Sequence, residues 1–145
     1  MATLISNSPA ETEAVGERWG LAAQTGLIIG LSGELGAGKT QLVRGLARGL
    51  NVPARVHSPT FNLVNIYAGG RLPLFHLDLY RLETYDQLLG AGLEEYLSKP
   101  PGVSVVEWVE RWLHSAPQPQ GRFRRVWIKI QGNERRQIEY EDSGP

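Results

Sequence analysis

Eight consecutive residues, Gly33-Glu34-Leu35-Gly36-Ala37-Gly38-Lys39-Thr40, fit the pattern G-x-x-x-x-G-K-[ST] at every required position. Glycine has no Cβ, so Gly33, Gly36 and Gly38 allow the chain to curl until successive N–H groups converge on phosphate oxygens. A helix opening near Gly38 adds unsatisfied donors and the positive end of its dipole. Lys39 is then within reach of β- and γ-phosphates, and the Thr40 hydroxyl is placed for the first shell of Mg²⁺. The chemistry expected is the grip on a nucleoside triphosphate and its magnesium. The plain alternative is a glycine-rich turn with an incidental lysine.

A metal beside those phosphates calls for a carboxylate, acting directly or through water, from the end of a neighbouring parallel strand. Val103-Ser104-Val105-Val106-Glu107 is an apolar strand ending in an acid, which makes Glu107 the candidate, against the alternative of a surface glutamate. Trp108 either covers the site or fills the core. In His76-Leu77-Asp78-Leu79-Tyr80-Arg81 the two-residue period puts His76, Asp78 and Tyr80 on one face and the leucines on the other, facing the core. Asp78 is then placed to orient or deprotonate an attacking water, or to meet Mg²⁺ through a water. A brace on the local backbone is the alternative for Asp78. Thr60, in Ser58-Pro59-Thr60, offers a hydroxyl to Mg²⁺ or the γ-phosphate in a segment able to switch, or else marks a strand-start turn. His57, His76 and His114 lack metal-ligand spacing and receive no catalytic role.

These residues need elements to position them. Ser8-Pro9-Ala10-Glu11 reads as a helix start, and Ala14, Val15, Arg18, Trp19, Leu21 and Ala22 carry the helix to about Gln24, with Gly26 ending it. Leu27 to Leu31 is an unbroken apolar run, expected as a strand buried on both faces. Leu42, Val43, Leu46, Ala47 and Leu50 recur at helical spacing after the glycine loop, and the helix stops at Gly49-Leu50-Asn51-Val52-Pro53. Phe61–Tyr67 and Leu72–Leu79 form an expected hairpin across Ala68-Gly69-Gly70-Arg71. Thr84 to Leu97 reads as a helical region broken at Gly90 and Gly92, and Phe123–Gln131 pairs with Arg136–Tyr140 across Gly132-Asn133-Glu134. The fold class is α/β, a mainly parallel central sheet with antiparallel strands and flanking helices, in one domain over residues 1–145.

Composition narrows the function classes. Fifteen Lys and Arg balance fifteen Asp and Glu, so no net field draws the molecule to nucleic acid or an anionic membrane. The absence of cysteine excludes a disulfide scaffold, a thiolate zinc site and a cysteine nucleophile. No apolar run of spanning length occurs, and Met1 to Ala10 lack the look of a signal peptide, so a cytoplasmic address is expected. The last part of the chain is locally basic: Arg122, Arg124, Arg125, Lys129, Arg135 and Arg136, interleaved with Phe123 and Trp127, form either a patch for RNA or an acidic partner, or a strand pair with solvated arginines.

Taken together, Leu31–Thr40, Ser58-Pro59-Thr60-Phe61-Asn62-Leu63-Val64, His76–Leu82 and Val106-Glu107-Trp108 resemble, in order and spacing, the TsaE (YjeE) family of bacterial tRNA threonylcarbamoyladenosine synthesis. That resemblance implies a P-loop NTPase fold with a seven-stranded, partly antiparallel sheet that binds ATP and Mg²⁺. By the same resemblance, Gly33, Leu35, Gly36, Ala37, Gly38, Lys39, Thr40 and Gln41 bind the nucleotide, and Thr12 lies near its base. Thr40 and Glu107 hold the metal, while Lys39, Asp78 and Thr60 serve hydrolysis, Thr60 from the switch segment. Gln41 departs from the second threonine of many members. The implied partners are TsaD and TsaB, which modify adenosine 37 of tRNA; any tRNA contact by the ATPase itself is expected to be indirect. A small-molecule kinase and a binding module without turnover are the competing readings. No lid-sized insertion supports the kinase, and no Asn/Thr-Lys-x-Asp signature supports a GTPase.

Overall fold

The two longest apolar runs become the centre of the sheet. Strands β2 (Ile28–Ser32) and β5 (Val103–Glu107) are buried at every position, which requires cover on both faces. The computed structural model describes residues 1–34, 36–53, 55–56, 63–113 and 121–144. The other elements are β1 (Ala2–Ser6), α1 (Pro9–Ala22), α2 (Lys39–Gly49), β3 (Val64–Tyr67), β4 (Leu74–Asp78), α3 (Tyr85–Gly90), α4 (Glu94–Ser98), α5 (Glu110–Leu113), β6 (Phe123–Ile130) and β7 (Arg136–Ser143). Seven strands form one sheet in the order β1-β7-β6-β2-β5-β4-β3. The central β6, β2, β5 and β4 are parallel, while β7 and β1 at one edge and β3 at the other pair antiparallel. This is the mixed sheet with flanking helices expected from the sequence.

Alternation along the central strands divides the core in two. Ile29, Leu31, Leu74, Val103 and Val105 pack with Val15 and Trp19 of α1 and Leu42, Val43 and Leu46 of α2. Ile28, Phe75, Leu77, Leu79 and Val106 pack with Leu88, Leu97 and Trp112 on the opposite face. The expected strand face of Leu77 and Leu79 is therefore in a core, but the other face is buried as well: His76 is fully buried. Among the described residues no helix is long and apolar enough to cross a membrane.

Helices α1 and α2 touch backbone to backbone. A Cβ on Gly16 would stand 2.2 Å from the Leu42 carbonyl oxygen, and one on Gly45 1.9 Å from that of Glu13. Only glycine permits this approach. Arg48 of α2 closes the crossing by ion-pairing with Glu13 and Glu17 of α1. The helix α1 starts as expected, with the Ser8 hydroxyl accepting from Glu11 N–H at 3.2 Å, but the Glu11 carboxylate reaches back to Asn7 N–H rather than to Ser8. It ends at Ala22, before the expected Gln24, and Gly26 (φ 97°) lies in the turn beyond. Strand β1 and helix α5 were not anticipated from the sequence pattern; each is short, and β1 gains its hydrogen bonds from β7, at the far end of the chain.

Candidate functional site

The carboxyl ends of β2, β5 and β4 lie side by side, since Leu31 is in register with Glu107 and Glu107 with Asp78. Parity then fixes the facing. Glu107 shares a strand face with Val103 and Val105, and Asp78 and His76 share one with Leu74, all on the side covered by α2. The three side chains thus face the helix that begins at Lys39. In open α/β sheets this carboxyl edge is where ligands bind.

Between β2 and α2 the glycine loop is shaped by backbone conformations that side chains rarely adopt. Gly36 (φ 79°) and Gly38 (φ 104°) are left-handed, and Gly38 is the N-cap of α2 with no side chain capping it. The first helical bond runs from Leu42 N–H to Gly38 O, so the amides of the opening turn precede the ladder and are available to an anion. Leu35 and Thr60 both lie outside the described residues. Lys39 is buried, 6% exposed; its ammonium donates to Gly33 O at 2.7 Å and lies 4.3 Å from the centre of the Trp108 ring. Thr40 follows on the helix and is half-buried.

Trp108 holds its place at a conformational cost. Its φ of 58° is left-handed, unfavourable for a large side chain, and such outliers concentrate at functional sites. Tyr80 stacks on it with ring centroids 4.9 Å apart. Both sequence readings hold in part: the ring lies over the Lys39 ammonium and also packs against the core of Leu77, Leu79 and Val106.

Asp78 is braced against the local backbone, one of the two roles read for it. Its Oδ1 accepts from Tyr80 N–H at 3.0 Å, which is the backbone brace. Burial also holds its carboxyl above the ordinary carboxylate range, and the charge of Glu107 adds to this; the Tyr80 amide, His76 and Lys39 pull the other way. Glu107, 5% exposed, is not the surface glutamate of the alternative reading, and its Oε2 accepts from His76 Nε2 at 2.5 Å. His76, given no role from its spacing, therefore stands directly behind the candidate metal ligand. Strand register, not ligand spacing, was the signal that could have found it.

Arg136 is the second residue whose part was not foreseen. Its Nε donates to Ala37 O at 3.0 Å and one Nη to Gly36 O at 3.1 Å, clasping the carbonyls of the glycine loop, while the other Nη holds Gly132 O and Arg135 O in the β6–β7 turn. A cleft of about 110 Å³ opens beside this clasp, lined by Thr12, Gly36, Gly38, Gln41 and Arg136 among others. Thr12 and Gln41 thus line one cleft, and the buried Thr12 hydroxyl is 2.7 Å from that of Ser6. Most of the basic C-terminal side chains are engaged within the protein: Arg124 with Asp142, Lys129 with Glu139, Arg122 with Gln24, and Arg125 on the Trp127 ring. The strand pair read for this stretch is present as β6 and β7. A larger cleft, about 320 Å³, lies at the other end of the sheet, but the Arg124–Asp142 pair on its wall neutralises itself.

Among the described residues no group of three His, Asp or Glu side chains forms a self-sufficient metal cage. Glu107 offers a carboxylate and Thr40 a hydroxyl, oxygen donors of the kind a hard cation such as Mg²⁺ takes.

Fold and site together define a mixed α/β protein with its polar chemistry gathered at the carboxyl edge of parallel strands, around a glycine-rich strand–loop–helix turn. Comparison with known proteins makes this specific. The chain belongs to the TsaE family: the family profile described as threonylcarbamoyl adenosine biosynthesis protein TsaE matches residues 6–138. It is 39% identical over 137 residues to the tRNA threonylcarbamoyladenosine biosynthesis protein TsaE of Bacillus subtilis, covering 94% of this chain and 83% of that one. The protein of the same name from Synechocystis is 49% identical over 105 residues, 66% of this chain and 64% of its relative. Among solved structures, Bacillus subtilis YdiB superposes with a TM-score of 0.77 at 30% identity, covering 99% of this chain and 86% of that one.

Proposed function

We propose that this protein is a Mg²⁺-dependent ATPase of P-loop NTPase fold that supports formation of N6-threonylcarbamoyladenosine at position 37 of tRNA, working in the cytoplasm with TsaD and TsaB. The observation that carries the reading is the meeting of a glycine loop, a buried lysine and two buried or half-buried acids at one sheet edge. The names of the relatives supply the pathway.

In this reading the loop amides and the first turn of α2 bind the phosphates, and Lys39 exchanges the Gly33 carbonyl for β- and γ-phosphate oxygens. Thr40 and Glu107 would hold the magnesium, which supplies charge neutralisation on the phosphates when bound. Asp78 orients a water whose oxygen bonds to the γ-phosphorus as the bond to the β–γ bridging oxygen breaks. Its raised proton affinity suits it to take up the water's proton. Thr60 belongs to the same machinery as the switch-segment hydroxyl. The cleft at Thr12 and Gln41 takes the base side of the nucleotide. The protein does not transfer the threonylcarbamoyl group; hydrolysis resets the TsaD–TsaB assembly between turnovers.

The reading assigns the transition-state arginine to a partner, and an arginine supplied in trans is worth about 10³–10⁵ in rate. Steady-state phosphate release should be slow for the chain alone and rise on adding TsaD and TsaB. Fast turnover by the isolated chain, unchanged by the partners, would refute the proposal.

A further inference from the structure

We infer that His76 is a positioning residue for the metal-binding carboxylate of Glu107. The inference rests on the reading above, in which Glu107 ligates Mg²⁺, and extends it to a residue behind the site.

An ionised carboxylate only accepts, so the 2.5 Å contact is His76 Nε2–H donating to Glu107 Oε2. Among the described residues it is the one side-chain hydrogen bond of Glu107, whose side chain is 6% exposed. A glutamate has three rotatable bonds, and a ligand is useful only if they are held. One oxygen is fixed from behind, and the other is left to the cation. Metal ligands are held in this way by outer partners whose loss weakens metal binding.

The opposite nitrogen argues that this bond is the purpose of His76. The Nδ1 is buried and has no hydrogen-bond partner among the described residues. A histidine serving the core would be satisfied at both nitrogens or replaced by an apolar residue, since an orphaned buried polar atom is unfavourable. Leu74, two residues earlier on the same strand face, shows what an apolar core accepts there: it too is fully buried. What the imidazole adds over a leucine is a single N–H aimed at Glu107. Neither the Lys39 ammonium nor the Asp78 carboxyl substitutes for it, because the former donates to Gly33 O and the latter accepts from Tyr80 N–H.

The test measures magnesium binding rather than turnover. The protein is saturated with a non-hydrolysable ATP analogue, Mg²⁺ is titrated in, and the half-saturating concentration is read from tryptophan fluorescence; affinity for the analogue is measured separately in EDTA by calorimetry. His76→Leu keeps the volume and removes the donor, and it should raise the half-saturating Mg²⁺ about 10–100-fold while leaving affinity in EDTA within about twofold. His76→Gln carries an N–H at nearly the depth of Nε2 and should restore Mg²⁺ binding to within about threefold of the wild type. If His76→Leu does not fold, His76→Asn, whose shorter amide cannot reach Glu107, should show the same loss. Unchanged Mg²⁺ dependence in the Leu or Asn variant overturns the inference, as does an equal loss in EDTA or no recovery with Gln. If wild-type protein binds the analogue with no Mg²⁺ dependence, the metal reading itself falls, and this inference with it.

Discussion

Replacing Gly45 by alanine tests how the site is held. The added Cβ would meet the Glu13 carbonyl oxygen at 1.9 Å, its carbon at 2.7 Å and its Cα at 2.9 Å. Ordinary C···O contact begins near 3.3 Å, so the helices must part by roughly 1.4 Å. No side chain can swing aside, because every obstacle is backbone, and sliding brings Gly16 onto Leu42 O instead. Overpacking of this kind costs about 1–3 kcal/mol, and a clash with backbone belongs at or beyond the top of that range. Alanine's better helix propensity returns about 1 kcal/mol. The net loss is about 2–3 kcal/mol, which for a chain of this size lowers Tm by about 5–10 °C. The control is Gly90→Ala at the end of α3, where nothing lies within 4 Å. It should be neutral or stabilising by about 0.4–1 kcal/mol. Thermal melts followed by circular dichroism decide it: a Gly45→Ala protein melting level with Gly90→Ala would refute the close-packing argument. Because α2 carries Lys39 and Thr40, Gly45→Ala should also bind nucleotide more weakly, and Gly90→Ala should not.

Arg136→Ala removes the bonds to Gly36 O and Ala37 O and should weaken nucleotide binding roughly tenfold by calorimetry, the scale of one charged hydrogen bond; Arg136→Lys should recover little, since one ammonium cannot reach both the loop and the β6–β7 turn. Asp78→Asn should lower turnover on the order of 10²–10⁴-fold yet raise stability at pH 7. The sign follows from the folded carboxyl lying above its ordinary 3.8: the favourable contribution of its protonated form is complete below that pH and is lost as pH rises through the folded value. The variant's advantage in Tm should therefore shrink on acidification toward pH 3.8, and a variant less stable than wild type at pH 7 would count against a desolvated Asp78. Trp108→Gly relieves the left-handed backbone but removes a ring that packs on Tyr80 and the core and covers the Lys39 ammonium, so Tm should fall by less than an ordinary Trp truncation and nucleotide-dependent fluorescence should shrink.

Much of the site was legible because its chemistry is local in the chain. Gly36, Gly38, Lys39 and Thr40 form one turn, and the demand for left-handed backbone is written in the glycines themselves. The buried runs of β2 and β5 were equally plain, since no polar residue interrupts the apolar side chains before Ser32 and Glu107 except Ser104. What stayed hidden depends on pairing between distant segments. His76 looks idle until the parallel register of β4 and β5 brings it to Glu107, and Arg136 looks like one more cation of a basic tail until β7 turns it onto the glycine loop. For β1 the five residues Ala2–Ser6 carry too little pattern to declare a strand without β7 beside them. The bounds of α1 shifted because Ala23 adopts an extended backbone, which ends the helix before any glycine is reached.

The two ends of the sheet provide an internal comparison. At the amino end of β6, Arg124 and Asp142 form a two-bond pair at the surface, and the Arg124 guanidinium holds the Asp142 carboxyl below its ordinary range. That arrangement is self-satisfied and asks for no ligand. At the carboxyl edge every sign is reversed. A carboxyl is held above its range, a histidine nitrogen has no partner among the described residues, a tryptophan is kept in left-handed backbone, and a buried ammonium is met by one carbonyl and an aromatic ring but no anion. Hydrophobic residues of similar volume at such positions are often neutral or stabilising, so packing alone does not explain this concentration of unfavourable terms. In the function proposed above, a phosphate-bearing ligand with its cation would give Lys39 anionic partners and set a positive charge beside Asp78 and Glu107. This concentration of unfavourable terms is the physical argument for placing function at this edge and not at the larger cleft opposite, where Arg124 and Asp142 satisfy each other.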